Sequence, residues 1–426
     1  SNLQFVSAEP ASIAIRGTGG VGLSEVSRVR FRLVDQANNP VTTPTDVTLA
    51  LSTGTGGLLI DQSPGPVVRQ TDANGEVEVQ VQAGVLPTPV WVIASLEVGG
   101  RTMTTNSTVL TVSTDQPIQS RFSLSFEKLN IEGLEYDNEQ SVVTILAADN
   151  FGNPVADGTA VNFISEGASI GDACATVNGE CTVVFRSQEN RPVAAPGRPR
   201  SDTGRVSVLA FAVGEEAYDD YNSNNAYDPG ETFYDLGYVY VDADEDGRYD
   251  EGERFIGFND QGAACVNPSA SSFGVPGIPD TCDGHLGQAH VRRQGVMVLS
   301  GSFAFFKSGP IDPQVGVPPS NIRTVYQFGA ACLIQVPFWL QDVNGNPMPV
   351  DTTLGADVTA GKDLAASVAG EVVPNTNARG GTFHVLNVSG LNPDSNECTG
   401  SGTVVINVRT PKGNLTSLTI AALPQP

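Results

Sequence analysis

Apolar and polar residues alternate along much of this chain. Arg28-Val29-Arg30-Phe31-Arg32-Leu33 and Glu76-Val77-Glu78-Val79-Gln80-Val81 each place their apolar side chains on one face, the period of a half-buried strand. Runs rich in β-branched residues recur at Ser141 to Leu146, Arg205 to Phe211, Gly295 to Leu299 and Thr403 to Val408. A helical period is sustained nowhere over fifteen residues, so the pattern predicts an all-β chain. At roughly 150 residues per domain, 426 residues suggest about three domains.

A repeat supports that division. A strand ending in Asp, three further residues and then Asn-Pro occur at Asp35…Asn39-Pro40, Asp149…Asn153-Pro154 and Asp342…Asn346-Pro347. Asp and Asn side chains bond nearby backbone groups in turns, and Pro fixes its own φ while biasing the residue before it to extended geometry. A second landmark follows each copy at Asn74-Gly75, Asn178-Gly179 and, more loosely, Arg379-Gly380-Gly381, each leading into a strand.

The order of strand, Asp, Gly-Asn-Pro-Val turn, second strand and Asn-Gly before a third resembles the bacterial immunoglobulin-like domains of the invasin and intimin group. The match is fullest at Ala148-Asp149-Asn150-Phe151-Gly152-Asn153-Pro154-Val155, followed by Asp157-Gly158-Thr159-Ala160-Val161 and Phe163. It covers most of the first 210 residues and, more weakly, the third copy. Asn38 stands where the group usually has Gly, and Asn also tolerates positive φ. The resemblance implies tandem immunoglobulin-like β-sandwiches used for surface adhesion or spacing, with no catalytic residues to carry over. Units are expected at 1–115, 116–308 and 309–426, joined by short linkers.

The repeat spacing locates an insertion. Asp35 to Asp149 is 114 residues and Asp149 to Asp342 is 193, so the second unit is longer by 79. The excess is expected between the last two strands of the second unit, at about 215–290, as a loop at one end of the sandwich.

That segment carries the candidate chemistry. Glu215 to Asp260 holds fifteen acidic and two basic residues, a net −13 of the total −24. Within it, 220–231 reads DYNSNNAYDPGE and 242–253 reads DADEDGRYDEGE, each twelve residues long. An EF-hand loop surrounds calcium with side-chain oxygens at positions 1, 3, 5 and 9, a carbonyl at 7 and a two-oxygen Glu at 12, with a tight turn at 6. The second stretch supplies Asp242, Asp244, Asp246, the Arg248 carbonyl, Asp250 and Glu253, with Gly247 at the turn. The first supplies Asp220, Asn222, Asn224, the Ala226 carbonyl, Asp228 and Glu231, with Asn225 at the turn. Calcium is therefore the expected ligand of both, more weakly in the first, which has three carboxylates instead of five. The alternative is a merely solvated acidic loop. Asp235 and Asp260 are candidate extra ligands. Phe233, Tyr234, Leu236, Tyr238 and Tyr240 alternate like strand, so the helices that flank an ordinary EF-hand are not expected.

Six cysteines and no paired zinc-type CxxC point to disulfides in an oxidising compartment. Spacing suggests Cys174–Cys181, Cys265–Cys282 and Cys332–Cys398 among the fifteen pairings that six cysteines allow. The net charge of −24 disfavours nucleic acid as a partner. The longest apolar stretches, such as Val206 to Val213, are too short for a spanning helix. The opening Ser1-Asn2-Leu3-Gln4 lacks a signal core, so any export signal is expected to have been removed or to lie outside this sequence.

Other motifs lack context. Gly17 to Gly22 fits a dinucleotide-binding fingerprint without a βαβ unit, and Gly167 to Gly171 fits a nucleophile elbow without a strand–turn–helix setting. Trp91 and Trp339 are expected in the core, and Arg191 to Arg200 as an exposed loop, its pairing with the acidic insertion being the weaker option. The reading is a secreted or cell-surface, calcium-stabilised structural or adhesive protein without enzymatic activity. Its partners would be calcium, neighbouring protein domains or other copies of itself. The alternatives are a self-polymerising filament subunit and a carbohydrate-binding accessory module. The module would use exposed aromatics among Tyr221, Tyr227, Tyr234, Tyr238, Tyr240 and Tyr249.

Overall fold

The computed structural model describes residues 2–17, 24–195, 198–223, 227–258, 262–267, 276–311, 318 and 320–424. Strands make up its regular structure, with short 3-10 turns at Thr55–Gly57, Gln119–Arg121 and Arg200–Asp202 and no α-helix among the described residues. The alternation read from sequence is realised as burial: in Val26–Val34, Val29, Phe31 and Leu33 are buried while Arg28 and Arg30 face solvent.

Three large hydrophobic cores form, in each of which the apolar faces of facing sheets meet, and a small fourth cluster packs Val239, Tyr240 and Val241 of the insertion with Leu209. The first lies among the sheets containing Val26–Val34 with Glu76–Gln82, Asp46–Leu51 with Val92–Val98, and Thr88–Val90 with Leu110–Ser113. The second lies between a four-stranded sheet around Gln140–Ala147 and Glu180–Arg186 and a five-stranded sheet around Ala160–Ser165, Arg205–Glu215 and Gln288–Leu299. The third lies between sheets centred on Leu333–Gln341 with Thr382–Ser389 and on Ser401–Arg409 with Leu415–Leu423. Each fully buried Val, Leu, Ile or Phe contributes about 1.5–3 kcal/mol by leaving water.

The repeat has one geometry in all copies. Oδ1 of Asp35, Asp149 and Asp342 accepts the backbone N–H two residues on and that of the Asn four residues on, at 2.8–2.9 Å. The second landmark packs onto it: Gly75 and Gly179, at φ +72 and +76, lie where a Cβ would come within 2.6 and 2.7 Å of the Leu33 and Ala147 carbonyls. Gly381 occupies the equivalent place against Leu340. Only glycine fits a position that combines positive φ with so close a backbone approach.

The insertion leaves the second unit where it was placed by arithmetic. Arg205–Glu215 pairs with Gln288–Leu299 over its whole length, and residues 216–287 run outside that ladder. The returning strand begins at Gln288, earlier than the Gly295 start of the apolar run, because it lengthens to match its partner.

All three disulfides follow the suggested pairing. Cys174–Cys181 does more than staple a hairpin: Ala173–Ala175 belongs to the five-stranded sheet and Glu180–Arg186 to the four-stranded one, so the bond ties the two layers together. Other features differ from expectation. Phe305–Ser308, ahead of the expected break at 309, pairs with Leu333–Gln341, and Phe306 packs into the third core. Gly309 and Pro310 therefore follow the first strand of that unit, which ends at Ser308, instead of preceding the unit. Trp91 is 36% exposed, and Trp339 points outward against Phe383 at 5.4 Å because Phe338 and Leu340 take the inward positions.

Candidate metal centre

Both twelve-residue stretches are loops closed at their bases by antiparallel pairing instead of helices. Val239–Tyr240 pairs with Phe255–Ile256 around 242–253. Around 220–231, Tyr218 bridges Phe233, and the Asp219 N–H donates to the Thr232 carbonyl at 2.8 Å. The tyrosines of the insertion mostly pack against these bases. Tyr227 meets Tyr218 and Phe233, Tyr249 meets Tyr240 and Phe255, and Tyr238 stacks on Phe255. Tyr221, 66% exposed, hydrogen-bonds Thr232 through its hydroxyl at 2.7 Å.

The final Glu closes each loop in the same way. Glu231 Oε1 accepts the Tyr221 N–H and Oε2 the Asp228 N–H, both at 2.9 Å. Glu253 Oε1 accepts the Ala243 N–H at 2.8 Å and Oε2 the Asp250 N–H at 2.9 Å. Positions 2, 9 and 12 are thus linked identically in two stretches that share five of their twelve residues. Gly230 and Gly252, both at position 11, share a φ of +108.

In the second loop, Asp242, Asp244 and Asp246 each bring one carboxylate oxygen within 4.8 Å of the others. Asp242 Oδ1 and Oδ2 accept the N–H groups of Asp246 and Gly247 at 3.1 and 2.8 Å, and Gly247 takes the turn at φ +79. The Arg248 N–H donates to Asp246 Oδ1 at 2.8 Å. Burial pushes Asp242 up to about 6, against the pull of those two donors, and repulsion from Glu253 and Asp244 adds to the rise. Each carboxylate oxygen that accepts one N–H still has a lone pair for a cation. Such an all-oxygen set suits a hard divalent ion such as calcium.

The first loop is less complete. Asn224 and Ala226 lie outside the described residues, as do Asn225 and Asp260. Asn222 Nδ2 donates to Asp228 Oδ2 at 2.7 Å, and among the described residues no group of three close carboxylates forms there. Asp235 is found in a different group, with Glu216 and Asp283, of which the loop register gave no sign.

The second loop is bound into the body of the protein. Glu245, at position 4, accepts Arg205 Nε at 2.6 Å and Nη2 at 2.8 Å, and pairs with Arg379 of the third unit at 3.2 Å. Burial pushes Glu245 up, but the bonds and charges of Arg205 and Arg379 outweigh it and leave the group below the ordinary range. Arg205 also donates to the Asn377 carbonyl at 2.7 Å, and Arg379 pairs with Asp202. Arg198 pairs with Asp244 at 2.9 Å, so the arginine segment makes the contact with the insertion that sequence ranked as the weaker option.

No known protein family and no curated protein matches the chain. Solved bacterial adhesins are similar to it. Bacterial invasin, an integrin-binding protein, aligns at 12% identity over 99% of this chain and 60% of its own, with a TM-score of 0.25. The D0–D1 domain of intimin aligns at 14% over 49% of this chain and 89% of its own, TM-score 0.22. The Yersinia pseudotuberculosis adhesin InvE aligns at 17% over 62% and 78%, TM-score 0.19. The chain thus spans less than two thirds of invasin's length. Among the described residues no helix is long and apolar enough to cross a membrane.

Proposed function

We propose that this chain is a calcium-stabilised segment of an extracellular or cell-surface structural or adhesive protein, in which the insertion locks the second unit to the third. The observation that carries the proposal is the second loop. It gathers three carboxylates at one point while its fourth residue, Glu245, is held by arginines from two units. Asp242, Asp244, Asp246, Asp250, Glu253 and the Arg248 carbonyl would hold the ion. Its charge would relieve the repulsion that otherwise opposes a compact loop. The loop backbone then fixes Glu245, and Glu245 fixes Arg205 and Arg379. Three disulfides support an oxidising compartment, where calcium is abundant enough for sites with dissociation constants of about 10⁻⁴–10⁻³ M.

The alternative as a carbohydrate-binding module loses support because most of the insertion's tyrosines are engaged at the loop bases. The self-polymerising alternative is an elaboration of the same structural role. Thermal unfolding with calcium and with chelator tests the proposal. Calcium is expected to raise the melting temperature of the native chain, since ligation of the folded state adds to stability. A variant carrying Asp242→Asn, Asp244→Asn and Glu253→Gln is expected to show most of that rise abolished. Equal responses in the two proteins would refute it.

A further inference from the structure

The insertion departs from the sheet after Glu215 and rejoins it at Gln288, so its two ends lie side by side at its root. Glu216 is the first residue out, Asp283 lies five residues before the return, and Asp235 lies between the two acidic loops. One carboxylate oxygen from each comes within 4.8 Å of the other two. Glu216 and Asp235 are 4% and 1% exposed, whereas Asp283 is exposed. Proximity of acids does not by itself make a site, but one atom here is out of balance. Asp235 Oδ2 accepts the Val266 and Gly284 N–H groups at 3.2 and 3.1 Å, while Oδ1 is buried with no donor among the described residues. An ionised oxygen shut away from both water and donors is costly unless a cation meets it.

We propose that Glu216, Asp235 and Asp283 form a third divalent-cation site, separate from the two twelve-residue loops, which pins both ends of the insertion to its middle. Separations of no more than 4.8 Å admit calcium, since ligand oxygens on opposite sides of an ion with bonds of about 2.4 Å stand about 4.8 Å apart. The donors are all oxygen, since Cys265 and Cys282 beside the site are tied to each other and offer no thiolate. Their disulfide holds the site's frame, because Val266, a donor to Asp235, and Asp283, a ligand, are the next residues in sequence. Both Glu216 oxygens are oriented by backbone donors, Oε1 by the Leu236 N–H at 2.7 Å and Oε2 by the Gly287 N–H at 3.1 Å. Asp283 provides the open side through which the ion enters and on which water completes its shell.

The site does not depend on the loops, and counting bound calcium separates the two proposals. Native mass spectrometry and calorimetric titration with calcium chloride are made on the full chain and two variants. One is Asp283→Asn, at an exposed position that leaves the buried pair in place. The other neutralises both loops through Asp220→Asn, Glu231→Gln, Asp242→Asn, Asp244→Asn and Glu253→Gln. Three ions are expected on the native chain. Asp283→Asn is expected to weaken one of them at least tenfold and leave the others unchanged, with an unaltered circular dichroism spectrum. One ion should remain on the loop-neutralised chain. An unchanged titration of Asp283→Asn would overturn the third site whatever the loops do, as would a folded loop-neutralised chain that binds no calcium. Retention of every ion by that chain would instead overturn the loop sites.

Discussion

The two junctions between units are built from similar repeats and differ in what fills them. Between the first and second units, contacts are sparse. Thr114 Oγ1 donates to Glu215 Oε1 at 2.6 Å and the Ala156 N–H to the Asp115 carbonyl at 3.1 Å, while within the first unit Ser12 Oγ donates to Asp115 Oδ1 at 2.6 Å. Beside them lies a cleft of about 610 Å³ lined by Glu9, Ser12 and Val109 on one side and Pro154, Ala156 and Asn178 on the other. Between the second and third units, fully buried Asn130 donates to the Met348 and Pro374 carbonyls at 2.7 and 3.3 Å and accepts the Thr376 N–H at 3.0 Å. Glu132, 3% exposed, accepts from Thr410 Oγ1, the Lys412 N–H and Asn414 Nδ2 at 2.7–3.0 Å.

The repeat itself records the difference. Asp35 is exposed, and donated bonds from Asn39 hold it below the ordinary carboxylate range. Asp342 forms the same turn but is buried at the second junction, where its Oδ2 also accepts the Gly301 N–H at 2.9 Å, and burial pushes it up to about 6. Asn346 of the same turn donates to the Thr203 carbonyl at 2.8 Å. One local motif thus ends a strand in the first unit and, in the third, also forms part of a joint. The lesson is that a repeat conserves the turn while its surroundings decide its role.

The largest effect is expected from the ion pairs that join loop, second unit and third unit. Glu245→Ala leaves Arg205 buried and uncompensated, and should cost about 3 kcal/mol, the low end for one partner of a buried pair. Scanning calorimetry should then show the second and third units melting separately where the native chain melts them together. Asn130→Ala leaves three backbone groups of the same junction unpaired and should cost about 2 kcal/mol in denaturant unfolding.

A smaller effect should appear as a pH dependence. The folded pKa of Asp342, about 6, lies above the ordinary aspartate value of 3.8, so the folded state retains a proton that the unfolded chain releases between these values. This residue's contribution therefore favours folding at low pH and is lost as pH rises from about 4 to about 6. Asp342→Asn should flatten stability across that window, and chemical denaturation at several pH values measures it. Thr114→Ala, at the open junction, should change stability by less than about 1 kcal/mol. A cost equal to that of Asn130→Ala would erase the contrast between the junctions.

What sequence made legible follows the reach of its rules. Period-two alternation, the Asp…Asn-Pro turn and the Asn-Gly landmark are local, so strands, repeats and the place of the insertion could be read directly. The twelve-residue stretches were visible because the oxygen donors of an EF-hand loop have a fixed spacing. Asn130 and Glu132 gave no signal, since they lie in or beside the two-residue strand Asn130–Ile131 and find their partners more than 200 residues away. Glu216, Asp235 and Asp283 are scattered over 68 residues and meet only because the ladder brings the ends of the insertion together. The layer-crossing role of Cys174–Cys181 was hidden because seven residues of separation suit a hairpin equally well.

Amide hydrogen exchange, with calcium and with chelator, tests most directly whether metal in the second loop locks the second junction. Calcium is predicted to slow exchange at Leu129, Val350 and Thr376, whose N–H groups cross that junction, and to leave Ala156 at the first junction unchanged. Equal exchange at these junction amides in calcium and in chelator would contradict the account.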